Sequence, residues 1–509
     1  MTAAGALLLV LAAWLGGRAL LPSRERLPRS AWEEQALALS LGLAAWMVLP
    51  MAWTALGGRL SAPFAWTLAG FGLAAGILRL RSDRRRGRGL EAGVLPKGQL
   101  AAALALGAMA ALLTVAFPLN AFDPILHFAC KSKVLFHSGD ILDPAFTAVL
   151  PPPDASDGFG RILTHPNYPL GIPFLEAQAA LLGGAWSERW VKLPLAFWLL
   201  CLPGLVTAGL HGASPRVRRL ALWVALAVPM FQVRAFLSSL EDTLARAGFS
   251  GLTILGGADL SLTVLYLGAL ALLLRARTAG CWRTAAGAGL LLAGGVLVKN
   301  EGLALLGVAG LALLTGAPLS PRRAWTASAV ALGVGLLLAS PWLFHRGRLP
   351  AIDENYGERL SWSSIVEHWN GPEKVEKSRS ARLGEKDAEI LREPPRRRDL
   401  VLRLYPLRMG SWLGLRNWGL LWLLVLLAIP AALRRREARW LAALVLGGHL
   451  LYFLVLLVTP WYLLSLTNTG IPERVWLHLA GPAVLLIGTV LGSVPEKLAP
   501  GGPAAPPGS

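Results

Sequence analysis

Residues 284–316 read TAAGAGLLLAGGVLVKNEGLALLGVAGLALLTG. Two apolar runs, 284–298 and 302–316, flank one polar triplet, Lys299-Asn300-Glu301. The pattern predicts a tight helical hairpin with a polar turn. Apolar runs recur along the whole 509-residue chain, at 2–21, 35–57, 61–78, 99–118, 193–211, 220–236, 256–274, 325–344, 412–433, 440–460 and 475–493. About 20 apolar residues in a helix cross the ~30 Å hydrocarbon core of a bilayer. The composition agrees, at 54% hydrophobic and 16% charged residues, against about 25% charged in soluble domains. The expected fold is an all-α polytopic membrane protein of about 13 transmembrane helices. The short alternating segments of an outer-membrane barrel are absent.

The net charge of +19 would suit a nucleic-acid binder, but its placement does not. The basic residues crowd short loops between apolar runs, as at Arg79, Arg81, Arg84, Arg85, Arg86 and Arg88, or Arg434, Arg435, Arg436 and Arg439. That is the positive-inside pattern of membrane topology, and no nucleic-acid partner is expected. Cys130, Cys201 and Cys281 lie too far apart for a disulfide framework or a metal-ligand spacing. The first run, without a small-residue cleavage site after it, reads as a retained span.

With loops 79–98, 212–219, 275–283, 317–324 and 434–439 in the cytoplasm, alternation puts two long segments, 119–192 and 345–411, on the other side. Residues 170–185 (LGIPFLEAQAALLGGA) are apolar but would break the alternation as a span. They are expected as an amphipathic helix in the outer interface.

Charged groups within a membrane domain are costly, ~2.5–3.5 kcal/mol near a span centre, so those at span ends merit attention. Asp123 follows the fourth run, Arg234 lies near the outer end of 220–236, and Asp259 heads the next run. Lys299 and Glu301 form the hairpin turn. Alternation brings all of them to one side, together with Lys131, Lys133, His165 and Tyr168. Each has a plainer reading. Asp123 and Asp259 serve equally as helix caps, Lys299 and Glu301 as mutual partners, His165 as a turn residue, and Lys131 and Lys133 as headgroup contacts. Soluble-enzyme signatures (GxGxxG after a strand, a Walker loop, HExxH, DxD, GxSxG) are missing. Chemistry at the outer face would need an activated donor carried by the membrane.

Five stretches in order, FDPILHFACKSKVLFHSGD (122–140), HPNYPLGIPFLEA (165–177), WSERWVKLPLAF (186–197), GADLSLTVLYLGALALLL (257–274) and GLLLAGGVLVKNEGLALL (289–306), resemble bacterial GT-C glycosyltransferases. These family 39-like, multi-spanning enzymes are related to protein mannosyltransferases and the aminoarabinose transferase. The resemblance covers residues 99–345, extends to 412–493 only by hydropathy, and leaves out 1–98.

It implies a three-span N-terminal extension (1–98), a catalytic module (99–345), an extracytoplasmic loop (346–411), a C-terminal three-span bundle (412–494) and a flexible tail (495–509). It also implies location in the bacterial inner membrane, with the active site on the periplasmic side. A sugar would pass from a polyprenyl-phosphate donor to a glycan, lipid or protein acceptor, with inversion. The family's first-loop catalytic Asp falls on Asp123, as general base. Pro124 follows it, where many relatives carry a second acid. The family's second acid falls on Asp259, with Asp242 as a rival. Lys131, Lys133, Arg234 and Lys299 would hold the phosphate, with His165, Tyr168 and Glu301 lining the substrate pocket. No cofactor is required, and a divalent metal stays open. A transporter or flippase of lipid-linked saccharides, or a polymerase or ligase using them, is the competing reading.

Overall fold

The structure is a computed structural model and describes residues 2–23, 29–85, 97–116, 127–147, 149–150, 161–162, 166–228, 258–315, 321–349, 356–372, 395–410, 418–459 and 471–492. Helices dominate them. The N-terminal part holds α1 (Thr2–Leu20), α2 (Ala31–Ala55), α3 (Ala62–Arg85) and α4 (Lys97–Ala116). A polar stretch follows with α5 (Cys130–Ser138), a two-residue antiparallel pair, β1 (Val149–Leu150) with β2 (Arg161–Ile162), and α6 (Gly171–Gly183). Next come α7 (Glu188–Val191), α8 (Leu193–Gly209), α9 (Pro215–Ala227), α10 (Ala258–Ala279), α11 (Trp282–Val298), α12 (Asn300–Thr315) and α13 (Pro321–Arg346). Short helices α14 (Tyr356–Arg359), α15 (Trp362–Asn370) and α16 (Arg397–Tyr405) precede α17 (Leu421–Arg434), α18 (Arg436–Val458) and α19 (Ile471–Gly492).

Eight helical stretches are long and apolar enough to cross a membrane: Thr2–Leu20, Ala31–Ala55, Ala62–Arg85, Glu188–Gly209, Ala258–Ala279, Arg322–Arg346, Arg436–Val458 and Arg474–Gly492. Shorter apolar helices cover Leu100–Ala116, Trp282–Val298, Asn300–Thr315 and Leu421–Arg434. The protein is thus an all-helical, multi-pass membrane protein. The described part of each apolar run lies largely in a helix; for 220–236 only the first part, within α9, is described, and for 412–433 only the residues from Trp418 on.

The helices end where local chemistry dictates. Ser30 caps α2 in a reciprocal capping box with Glu33, which satisfies two otherwise orphan backbone donors. Ser214 caps α9, with Pro215 in its first turn. Prolines inside α2, α8, α13, α17 and α19 suit spans, where neighbouring groups take up the freed carbonyls. Gln178 does so for α2, its Nε2 donating at 2.9 Å to Trp46 O, the carbonyl four residues before Pro50.

The bundle is built around α10, whose residues from Ala258 to Leu273 are all buried. It packs on α8, α11, α13 and α19. The N-terminal helices belong to the same bundle, since α2 lies against α1, α6, α8, α11 and α13. No side chain fits at Gly17 or Gly42. An added Cβ would overlap the carbonyl oxygens of Ala38 and Ala13, and small residues at such crossings let membrane helices touch backbone to backbone. The rim is apolar and exposed, as at Trp66, Phe71, Leu337 and Phe344, the face expected against lipid.

One expectation changes. Residues 170–185 do not form a surface helix, because all thirteen residues of α6 are buried. The helix packs on α1, α2 and α5. An interfacial helix keeps a polar face in water. This one is apolar apart from Glu176 and Gln178, and both of those are sequestered. At ~20 Å long, it is also too short to span.

Candidate functional site

Asp259 sits in the first turn of α10 with no solvent exposure. Its Oδ1 accepts from Lys299 Nζ at 2.8 Å and from His478 Nε2 at 3.1 Å. Its Oδ2 accepts from Arg474 Nε at 2.9 Å. Lys299 Nζ also lies 2.7 Å from Glu301 Oε1, and the Tyr452 hydroxyl lies 2.7 Å from His478 Nδ1. Two cations and two carboxylates therefore close a neutral network drawn from α10, the α11–α12 turn, α18 and α19. An ionised carboxylate only accepts hydrogen bonds. His478 donates to it through Nε2, and in the neutral imidazole Nδ1 then accepts from Tyr452.

The α11–α12 turn explains how Lys299 reaches inward. Lys299 is extended (φ −156°, ψ 148°) and ends α11, while its carbonyl accepts from Gly302 N at 2.9 Å as α12 begins. A side chain at Gly302 would collide with the carbonyl oxygen of Gly295. The sequence Lys-Asn-Glu-Gly is thus a steric solution to folding two apolar helices back to back with a buried lysine between them.

The first outer segment meets this turn. Asn300 Nδ2 donates to Asn167 O at 3.2 Å. On the other side of the same segment, Lys131 donates through Nζ to Tyr168 O at 2.6 Å and to Pro166 O at 3.2 Å. Lys131 is fully buried, and desolvation holds its ammonium well below the usual lysine range. His127 stacks on Tyr168 with centroids 4.5 Å apart, and Phe128 meets it edge-on at 6.3 Å. Ser132 Oγ donates to Glu176 Oε2 at 2.5 Å, fastening α5 to buried α6. The Pro166–Tyr168 segment is therefore clamped between α5 and the α11–α12 turn.

Of the residues singled out from sequence, Lys131, Tyr168, Asp259, Lys299 and Glu301 come to this end of the bundle. Lys133 points outward and is exposed. Lys131 differs from a headgroup contact, since its amine is spent on two backbone carbonyls. Asp123, His165, Arg234 and Asp242 lie outside the described residues. Arg474, His478 and Tyr452 escaped sequence reasoning. The available signal was Arg474 and His478 four residues apart in IPERVWLHLAGPAVLL, on one face of a largely apolar helix.

The arrangement orients cations at one mouth of the bundle. Asp259, with three donors on its two oxygens, is suited to positioning Lys299 and Arg474 rather than to taking up a proton. Among the described residues no group of three or more His, Cys, Asp or Glu side chains is placed to hold a metal ion.

No protein-family model matches the chain, and no curated protein is significantly similar to it in sequence. Among solved structures, the crystal structure of ArnT from Cupriavidus metallidurans bound to undecaprenyl phosphate aligns with a TM-score of 0.47 and 14% identity. The alignment covers 79% of this chain and 61% of that one, so the chain spans less than two thirds of that protein's length.

Proposed function

We propose that the protein is a membrane glycosyltransferase of the GT-C type in the bacterial inner membrane. It moves a sugar from a polyprenyl-phosphate donor to an acceptor hydroxyl at the periplasmic face, with inversion. The observation that carries this reading is the buried Asp259–Lys299–Arg474–His478 network, joined through Asn300 and Asn167 to the segment that Lys131 holds. It supports the reading because charged side chains inside a membrane bundle are expensive and mark sites of function. Of these residues, Lys131, Asn167, Asp259, Lys299 and Asn300 also belong to the motifs that resemble the family.

A sugar joined to a lipid phosphate already has a competent leaving group. The acceptor oxygen attacks the anomeric carbon and the bond from that carbon to the phosphate oxygen breaks. The hydroxyl proton goes to a carboxylate, here Asp123, and general-base catalysis of this kind contributes ~10²–10⁴-fold. The charge growing on the departing phosphate is met by Lys299 and Arg474, whose orientation Asp259 holds. Preorganised cations at a developing anion are worth several kcal/mol.

The test is to reconstitute the full chain with a panel of polyprenyl-phosphate sugars and measure released polyprenyl phosphate. Wild-type protein should release it in an acceptor-dependent way. Asp123→Asn should insert and fold but lose nearly all turnover. Donor crossing the bilayer intact, with no release, would make the protein a transporter, and near wild-type turnover in the variant would remove Asp123 as the base.

A further inference from the structure

The other end of the bundle carries a second buried ionic network, which the proposed transfer reaction does not use. Arg275 lies in the last turns of α10, sixteen residues after Asp259 and so ~24 Å away along the helix. Around it gather the start of α2 (Glu33), the turn after α8 (His211) and the first turn of α9 (Arg218). Glu33 is 1% exposed. Arg275 NH1 stands 3.6 Å from Glu33 Oε2, Arg218 NH1 stands 3.6 Å from Oε1, and His211 Nδ1 stands 4.0 Å from Oε2. These are ion-pair distances, too long for hydrogen bonds. The one short bond to this carboxylate comes from its own capping box, where Ser30 N donates to Oε2 at 3.1 Å.

Two features of this corner are unusual for a structural ion network. First, among the described residues it is unbalanced: two guanidiniums share one carboxylate. The other described carboxylates nearby are engaged elsewhere, Glu34 by Arg18 at 2.7 Å and Arg29 at 3.2 Å, and Asp83 by Arg79 at 3.3 Å. Second, hydrogen bonds are missing. Both terminal nitrogens of Arg275 and the Nε of Arg218 are buried without a hydrogen-bond partner, although the Arg275 side chain is only 6% exposed. A guanidinium has five N–H donors, and a buried donor without an acceptor keeps the full cost of leaving water. The corner opens to the outside through Arg218, 25% exposed, and His211, 39% exposed. It also adjoins the N-terminus of α9, whose backbone N–H groups favour an anion.

We propose that this corner binds a phosphate group, supplied by an anionic phospholipid headgroup of the leaflet at that end, between Arg218, Arg275 and His211. The guanidinium fork matches phosphate oxygens in pairs, which a carboxylate at 3.6 Å does not satisfy. The site lies at one end of the apolar helices α2, α8 and α10, beside the basic start of α9, which places it at headgroup depth. The basic loops place that depth in the cytoplasmic leaflet, where basic pockets between spans meet anionic lipid. Occupancy would fill the missing hydrogen bonds and neutralise the surplus charge, locking the α8–α9 turn to the end of α10.

The test uses full-length protein, purified and delipidated in neutral detergent, with bound lipid read by native mass spectrometry. Separate arms receive phosphatidylglycerol, phosphatidylcholine or inorganic phosphate. Wild type should keep one phosphatidylglycerol at least tenfold better than phosphatidylcholine, with a matching rise in melting temperature. Arg218→Gln, at a partly exposed position, should lower that retention at least fivefold while leaving the lipid-free melting temperature within a few degrees. Arg275→Gln should lower it further, and Arg322→Gln, an equal charge change on exposed α13, should leave it unchanged. Equal retention of the two lipids, equal loss in Arg322→Gln, or an equal thermal shift from inorganic phosphate alone would overturn the assignment. Because the readout is lipid retention ~24 Å from Asp259, its failure leaves the transferase reading intact.

Discussion

Asp259 and Glu301 share a single ammonium group, that of Lys299, at 2.8 and 2.7 Å. The two carboxylates differ in setting, since the Asp259 side chain is fully buried and that of Glu301 is 25% exposed. Lys299 thus ties the sealed part of the network to its open edge. A ligand anion arriving at that edge would meet a lysine whose inner partner keeps it in place.

Removing the charge of Asp259 takes a shared buried carboxylate away from both Arg474 and Lys299, and Lys299 keeps Glu301. Asp259→Asn should destabilise the protein by about 3–5 kcal/mol, the usual cost of breaking a buried pair. Combining it with Lys299→Met should recover part of the loss, because the double variant leaves one cation, Arg474, and one carboxylate, Glu301, and so restores the charge balance. Thermal unfolding in detergent checks both. Additive losses in the double variant would show that the two side chains are not coupled.

The Tyr452–His478–Asp259 chain predicts non-additivity of a second kind. Tyr452→Phe leaves His478 Nδ1 without its donor, and His478→Leu leaves the Tyr452 hydroxyl without its acceptor, each at a cost of ~1–3 kcal/mol. Once one is gone, the other has less to lose. The paired variant should be less destabilised than the sum of the singles, and a plain sum in a double-mutant cycle would disconnect them.

Lys131 predicts a pH dependence. Its ammonium has an ordinary value of 10.5, and burial holds it well below that in the folded chain. Between those two values the unfolded chain binds the extra proton. Stability from this group therefore rises with pH across that window and is lost as pH falls through it. Lys131→Met has no such proton. The melting temperature of wild type minus that of the variant should grow between pH 7 and pH 10, and a flat difference would contradict a buried, desolvated amine.

Gly302→Ala should disturb the site without touching a charged group. The new Cβ meets the Gly295 carbonyl, a backbone atom that cannot swing away, and overpacking of this kind costs ~1–3 kcal/mol. Lys299, three residues earlier, would shift with the turn. Turnover should fall together with melting temperature, whereas Gly307→Ala, which meets open space, should change neither.

The sequence alone determined that the chain is a multi-pass helical bundle, and that Asp259, Lys299 and Glu301 share one end. Hydropathy accumulates along a helix, and alternation across the bilayer follows from counting. It did not reveal which faces turn inward. Helix α10 is apolar all round, so its residues carry no stripe to mark an inner side, and lipid is as apolar as leucine, leaving no solvent contrast to choose one. Contacts between small residues, such as Gly17 with Ala38, make that choice across long stretches of chain. Only the tertiary structure could therefore place Arg474, His478 and Tyr452 against Asp259, seal Lys131 beneath the Pro166–Tyr168 segment, and bury α6 on every side.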